Sequence, residues 1–555
     1  MGAHRAHSVC AIGLAPARPG RRFLREKNVG ATLLKYGEIL CLGAGNILRV
    51  QQFCATNARQ SRWHPVERGN KRARRKSAHA PVLASVTRRE ALKHIGAAAG
   101  AVALAPWLSS CGDDGEGGGG GGLPPLTPED LKVDTVVLVM MENRTFDHFL
   151  GSLSLHEGRA VDGLQASFAN PRPDGSMVRV FPMSDRCVED PPHGWDASFR
   201  QVDDGRMDGF VREHWAAVGP AHGDQVMGYY QRQQLPIYYA LADEFVLCQR
   251  WFCSVRGPTW PNRMYLHAAQ SDGRKNNDFP APPGFRFRTI YDVLNSAGIE
   301  WKYYYTDLPF LALWASLRSQ TSRLLPIQAF FEDARAGTLP PVCVVEPGFG
   351  INDDHPPHDI QLGQAFVAAV IRALGASPQW RRSAFILTYD EHGGFFDHVP
   401  PPTVPDERSQ EGFGALGPRV PAFVVSPWAK RGFVSSTLYE HSSYPAFLEF
   451  LFRLPPLTMR DRNANIFLDA FDRSRLERDD PRPFPQLPVI TVDREAPPEC
   501  VALGATARDV PGLQDIERYA NAGGIPRSLD RRRDVARTLY DIHAELVRLG
   551  GAQWR

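Results

Sequence analysis

The sequence predicts an α/β fold in which a central, mostly parallel sheet is sandwiched by helices. Two observations predict it. From residue 133 onward, short apolar runs of strand length recur along the chain, and longer segments with helical spacing lie between them. The 555 residues are 43% hydrophobic, 10% aromatic and 23% charged, which supports a large core and excludes a wholly disordered or fibrous chain. Length alone would allow about three or four domains.

The first strand is the run at residues 136–141, apolar throughout, as a strand covered on both faces must be. Similar runs follow at 342–345, 385–389 and 422–425. Helical patterns at 362–374 and 444–452 supply the cover. Beyond residue 452 the chain becomes polar and rich in Arg and Pro, and a last helix at 529–549 is expected to pack against the body. Five cysteines belong to this body: Cys187, Cys248, Cys253, Cys343 and Cys500. An odd number leaves at least one thiol unpaired, and with no C-x-x-C pair a structural zinc cluster is not expected.

Charge divides the chain. Residues 1–110 carry 19 basic against 4 acidic side chains, leaving 45 against 57 for the rest. An acidic body is a poor match for a phosphate backbone, so no nucleic-acid partner is expected. Residues 1–85 are a basic extension, including the run 71–76, that fits a start set too far upstream and is given no function. Residues 86–111 resemble a twin-arginine lipoprotein signal. Arg88-Arg89 precede an Ala-rich apolar stretch, 95–108, too short to span a membrane, and Leu108-Ser109-Ser110-Cys111 resembles a lipobox. Cys111 is then the lipidated first residue of an exported protein, anchored to a membrane and facing the periplasm or the cell exterior. Residues 112–128, with six consecutive glycines at 117–122, form a flexible tether, and the catalytic domain is expected at 129–555.

In an open α/β sheet, ligands collect beyond the carboxyl ends of the strands. Three of the apolar runs end in acids at that edge. The first is followed by Glu142-Asn143, the second by Glu346, and the third by Asp390-Glu391-His392-Gly393-Gly394. Acid pairs with glycines that admit close approach point to a metal or phosphate site. A fourth segment, Arg256-Gly257-Pro258-Thr259-Trp260-Pro261-Asn262-Arg263, places Thr259 between a Gly-Pro turn and a helix start. Thr259 is there either an ordinary N-cap or a nucleophile close to anion-binding backbone N–H groups.

Taken together these segments resemble the bacterial phosphoesterase family, which includes secreted phospholipases C and a respiratory-burst-inhibiting acid phosphatase. The matching motifs run in order: Glu142-Asn143-Arg144-Thr145-Phe146-Asp147-His148, His193-Gly194-Trp195-Asp196, Gly205-Arg206-Met207-Asp208-Gly209-Phe210 and the Thr259 segment. Asn352-Asp353-Asp354-His355-Pro356-Pro357, the Asp390–His398 stretch and Glu440-His441-Ser442-Ser443 complete them. The resemblance implies a fold similar to that of alkaline phosphatases and sulfatases. It implies that Glu142, Asn143, Asp390 and Glu391 hold a metal, and that Thr259 is nucleophile and further ligand. His193 and His355 become candidates for binding phosphoryl oxygens or protonating the leaving group, and His358, His398 and His441 for supporting roles.

The ligand set is oxygen-rich, which favours Ca, Mg or Mn, although related folds bind Zn through added histidines. Trp195, Phe349, Phe395, Phe396 and Phe413 lie near the motifs, where aromatic rings can cage a choline headgroup. The expected activity is that of an exported, metal-dependent phospholipase C, cleaving phospholipids or other phosphate esters with no obligate protein partner. The alternatives are a broad acid phosphatase and, outside the enzymes, a metal- or phosphate-binding surface lipoprotein. Cys253-Ser254-Val255-Arg256 lacks the Cys-x-Pro-x-Arg order of a sulfatase, and no G-x-S-x-G elbow of a serine esterase occurs.

Overall fold

The computed structural model describes residues 124–493, 495–503 and 518–555. The basic extension, the export signal with Cys111, and the glycines of the tether lie outside these. Eight strands form the central sheet: β1 (Thr135–Met141), β2 (Val246–Cys248), β3 (Trp301–Tyr305), β4 (Leu324–Pro326), β5 (Val342–Glu346), β6 (Ser383–Tyr389), β7 (Phe423–Val425) and β8 (Phe433–Ser435). Their order is β8-β2-β7-β6-β1-β5-β3-β4, and only β7 runs against the others. The predicted α/β class is therefore the observed one.

All seven residues of β1 and all seven of β6 are buried. Successive side chains on a strand point to opposite faces, so both faces of the sheet centre are covered. The cover comes from helices that include α1 (Phe146–Leu150), α2 (Trp195–Val202), α3 (Pro236–Glu244), α4 (Thr259–Ala268), α5 (Ile327–Ala336), α6 (Ile360–Gly375), α7 (Ser443–Phe452) and α8 (Val535–Arg548). Helices α5, α6 and α8 pack together, as do α4 and α7.

All four predicted strands exist, and the helices expected at 362–374 and 444–452 are α6 and α7. The run at 422–425 became the single antiparallel strand, so its carboxyl end points away from the edge where the acids gather. Strands β2, β4 and β8 have three residues each, too short to show a period. The last helix starts at Val535 rather than 529, because residues 527–534 form two short 3-10 turns first. The tail does pack on the body: α8 lies against α5 and α6, and within the tail β9 (Ile490–Val492) pairs in parallel with β10 (Ala552–Trp554). A disulfide joins Cys187 to Cys500, while Cys248, Cys253 and Cys343 are free and buried. No helix among the described residues is long and apolar enough to cross a membrane.

A buried ion cluster fixes the loop that follows β6. Arg419 donates to Asp397 Oδ1 at 2.9 Å and to Asp147 Oδ1 at 3.1 Å. His398 Nδ1 lies 2.6 Å from Asp147 Oδ2 and its Nε2 lies 3.1 Å from Asp162 Oδ1. Burial disfavours charge on His398, but the Asp147 carboxylate outweighs it and holds the imidazole at about 9. Since that is above the value of an unfolded histidine, its contribution is whole below about pH 6.5 and is lost as pH rises through 9. We expect His398→Gln to lower folding stability most below pH 6.5, by ~3 kcal/mol at most, with the gap in Tm to wild type closing by pH 9. A gap that stays constant across this window would mean His398 is not charged there.

Candidate active site

Register brings the site together. Met141 pairs with Tyr389, so Glu142 and Asp390 leave the sheet side by side at its carboxyl edge. The two exit loops then hold each other: Asn143 N–H donates to Asp390 Oδ1 at 3.2 Å, and Arg144 N–H to the Glu391 carbonyl at 3.1 Å. Asn143 sits in the left-handed region at φ 62°, a conformation that Asn tolerates better than most residues. Gly393 must be glycine: its own φ is 62°, and a Cβ there would lie 2.2 Å from the Asn143 carbonyl oxygen.

Thr259 is the first residue of α4, behind Pro258, and is 5% exposed. The helix N-terminus is a thinner anion site than the sequence promised. Trp260 N–H is already bonded to Asn277 Oδ1 at 2.9 Å and Pro261 has no N–H, leaving Thr259's own. One helical turn on, Arg263 projects from the same side of α4 into the acids. Its Nη2 lies 3.0 Å from Glu142 Oε1, its Nη1 2.7 Å from Glu346 Oε1, and its Nε 3.2 Å from Asp390 Oδ2. Glu346 is also bonded by the Tyr303 hydroxyl.

One guanidinium does not balance the acids around it. Burial, and then the charge of Asp390, push Glu142 well above the carboxylate range in spite of Arg263. Burial likewise pushes Asp390 up to about 7, with Glu391 adding to it and Arg263 opposing. Glu391 is held low instead; burial would raise it, but His193 and His392 outweigh that. Oxygens remain unsatisfied as well. Asn143 Oδ1, Glu391 Oε1 and Asp353 Oδ2 are buried without a hydrogen-bond partner. Buried polar atoms are almost always paired, so this is a place built for a further positive or donating group.

The histidines frame this centre. His193 Nε2 lies 3.4 Å from Asn143 Nδ2 and 3.8 Å from Glu391 Oε1, and its Nδ1 is 2.7 Å from the Pro191 carbonyl. Burial opposes charge on His193, but Glu391 and Asp190 hold it at about 9. His355 packs edge-on to His193 with ring centroids 5.4 Å apart, and burial lowers its pKa. His358 Nδ1 bonds Asp353 Oδ1 at 2.6 Å. His441 accepts from Trp251 at Nδ1, 3.2 Å, and so donates from Nε2 to the Asp390 carbonyl at 2.6 Å. It supports the site from below, whereas His398 belongs to the Arg419 cluster.

Glu142, Thr259, His193, His355 and His358 all face one cavity of about 760 Å³, while Asn143, Asp390 and Glu391 are buried behind it. Of the five aromatics considered for a headgroup cage, only Phe349 lines the cavity. Trp195 packs on Phe413, and Phe395 stacks on His148. The predicted residues thus converge, from chain positions about 250 apart. Sequence reading gave no role to Arg263, although its spacing of four from Thr259 was visible. Glu346 was placed at the strand edge where the acids gather, but not among the metal ligands. Asp190 and Asp353 carried no periodic signal.

Fold and site together are those of a phosphoric ester hydrolase. The model of the Phosphoesterase family matches residues 133–455, and the chain belongs to that family. It is 37% identical to non-specific phospholipase C1 of Arabidopsis thaliana over 398 residues, 64% of this chain and 74% of that one. It is 29% identical to phospholipase C A of Mycobacterium tuberculosis over 452 residues, 70% and 86% of the two chains. Among solved structures, a Vibrio parahaemolyticus protein in the alkaline phosphatase superfamily aligns at a TM-score of 0.29 and 11% identity, covering 56% of this chain and 76% of that one.

Proposed function

We propose that the protein is an exported, metal-dependent phospholipase C that cleaves the phosphodiester of a phospholipid through a threonine nucleophile. The observation that carries this is the single cavity shared by Thr259, Glu142, His193 and His355. Thr259 gives up its hydroxyl proton to solvent as its Oγ1 attacks phosphorus, and the bond from phosphorus to the glycerol oxygen breaks. The departing alkoxide takes a proton from a wall histidine, His193 or His355. That histidine regains a proton from the water that then attacks the phospho-threonine, the phosphorylated headgroup leaves, and the Thr259 oxygen is reprotonated from solvent.

A hard divalent cation fits the residues present. The donors are carboxylates, an amide and a hydroxyl, two of their buried oxygens (Asn143 Oδ1 and Glu391 Oε1) lack partners, and the acids outnumber the guanidinium. Glu142, Asn143, Asp390 and Glu391, with Thr259, would hold it. Bound there, it would supply the positive charge that makes a threonine alkoxide accessible near neutral pH.

The test is hydrolysis of phosphatidylcholine against p-nitrophenyl phosphate by protein stripped with chelator, with Ca, Mg, Mn and Zn each added back. The expected result is release of phosphocholine that vanishes on stripping and returns with one of the hard cations. Cleavage of the monoester alone makes the protein a phosphatase, and full activity after stripping removes the metal from the mechanism. The exported, anchored state rests on the Arg88-Arg89 pair, the short apolar stretch and Cys111. Cys111→Ser is expected to move the protein from the membrane to the soluble fraction; a wild type already soluble in the cytoplasm contradicts the anchor.

A further inference from the structure

We propose that the apolar wall of the active cavity is a subsite for the alcohol half of the phosphodiester, completed by the C-terminal segment around Tyr519. This rests on the reading of the site as a phosphoesterase and names the part of the substrate that the wall selects. The cavity is lined by two unlike sets of residues. Thr259, Glu142 and the histidines form one; in the other, Trp260, Phe279, Phe310, Leu313, Tyr519 and Ile525 face the same space.

The apolar wall is continuous with the nucleophile. Trp260 is the residue after Thr259, and its ring meets Phe310 edge-on at 5.8 Å and Phe279 at 4.8 Å between centroids. Phe279 in turn packs on Tyr519 at 4.8 Å. A group bonded to phosphorus at Thr259 therefore passes directly along this row. Its far part comes from outside residues 133–455, where the family match ends. Tyr519 and Ile525 are each 5% exposed. The segment is pinned to the body where Arg318 donates to the Gly523 carbonyl and Arg531 N–H to the Asp307 carbonyl at 2.9 Å.

Gly524 sets the ring's position. A Cβ on it would lie 2.3 Å from the Tyr519 ring, so any larger residue must displace that ring. Apolar area removed from water along such a row favours a substrate that carries hydrocarbon on the alcohol side. The occupant is the acylglycerol part of a lipid, or an alkyl chain in its place, rather than a small polar alcohol.

The test has a binding arm and a turnover arm. Tryptophan fluorescence of the metal-loaded protein is titrated with octyl phosphate and with methyl phosphate. Wild type is expected to bind the octyl ester at least about ten-fold tighter. Tyr519→Ala and, separately, Gly524→Ala are expected to collapse that octyl-to-methyl ratio, whereas Tyr519→Phe keeps the ring and the ratio. Equal affinity of wild type for both esters overturns the subsite, as does an undiminished ratio in both folded alanine variants. In the turnover arm, dihexanoyl phosphatidylcholine is expected to be hydrolysed with higher kcat/KM than glycerophosphocholine, and the variants to reduce the preference. Chain-length selectivity in binding with no turnover of either diester would sink the phospholipase reading and leave the subsite standing. Turnover of both without selectivity would do the reverse.

Discussion

Thr259→Ala is expected to lower turnover of an activated phosphodiester by between about 10³ and 10⁶, the range seen when a nucleophile acting within a catalytic unit is deleted. The physical ground is narrow and specific. Thr259 is the first residue of α4, faces the cavity with Glu142, His193 and His355, and has no hydroxyl neighbour in the Gly-Pro turn to take over. Thr259→Ser keeps the oxygen and loses one methyl group, so it is expected to retain measurable turnover and to trap phosphate on Ser under acid quench. Both variants must be compared at equal metal content, since Thr259 is itself an expected ligand. An alanine variant that turns over at the wild-type rate removes the covalent route while leaving the family and the fold intact.

Arg263→Met is expected to cost about 3–5 kcal/mol of folding stability, the usual result of removing one partner from a buried ionic group. Here one guanidinium, 1% exposed, serves Glu142, Glu346 and Asp390 together. Without it, three buried carboxylates must find protons or other counter-charges, and burial already raises the pKa of each. A fall in Tm on the order of 10 °C follows. Arg263→Lys restores a charge but not a planar fork able to meet three acids, so it is expected to recover stability incompletely. Unchanged thermal unfolding of the methionine variant would show that the acids are balanced by something other than Arg263.

Much of this site was legible in the sequence because backbone rules placed it. Apolar runs identified β1, β5 and β6, and the rule that ligands gather at strand carboxyl ends made Glu142, Glu346 and Asp390 expected neighbours. The order of motifs added Thr259, His193 and His355. What stayed hidden were partnerships between side chains. That Arg263 would bridge three acids depends on α4 lying against the sheet edge, and that Asp353 would pair with His358 depends on a loop fold. The C-terminal wall was hidden for another reason. Tyr519 and Ile525 sit in a polar stretch with no period, so only the cavity they line, and the contact of Tyr519 with Phe279, reveal their place.

The Cys187–Cys500 bond joins two stretches 313 residues apart in sequence. Cys187 stands three residues before Asp190 and six before His193, so one end of the bond lies in the loop that delivers a histidine to the cavity. Thiols in a glutathione-buffered cytosol stay reduced, whereas those in a periplasm or outside a cell are oxidised. The covalent tie to that loop therefore closes only where the surroundings withdraw electrons. A copy kept in a reducing cytosol would be built from the same chain yet lack one of its longest-range restraints.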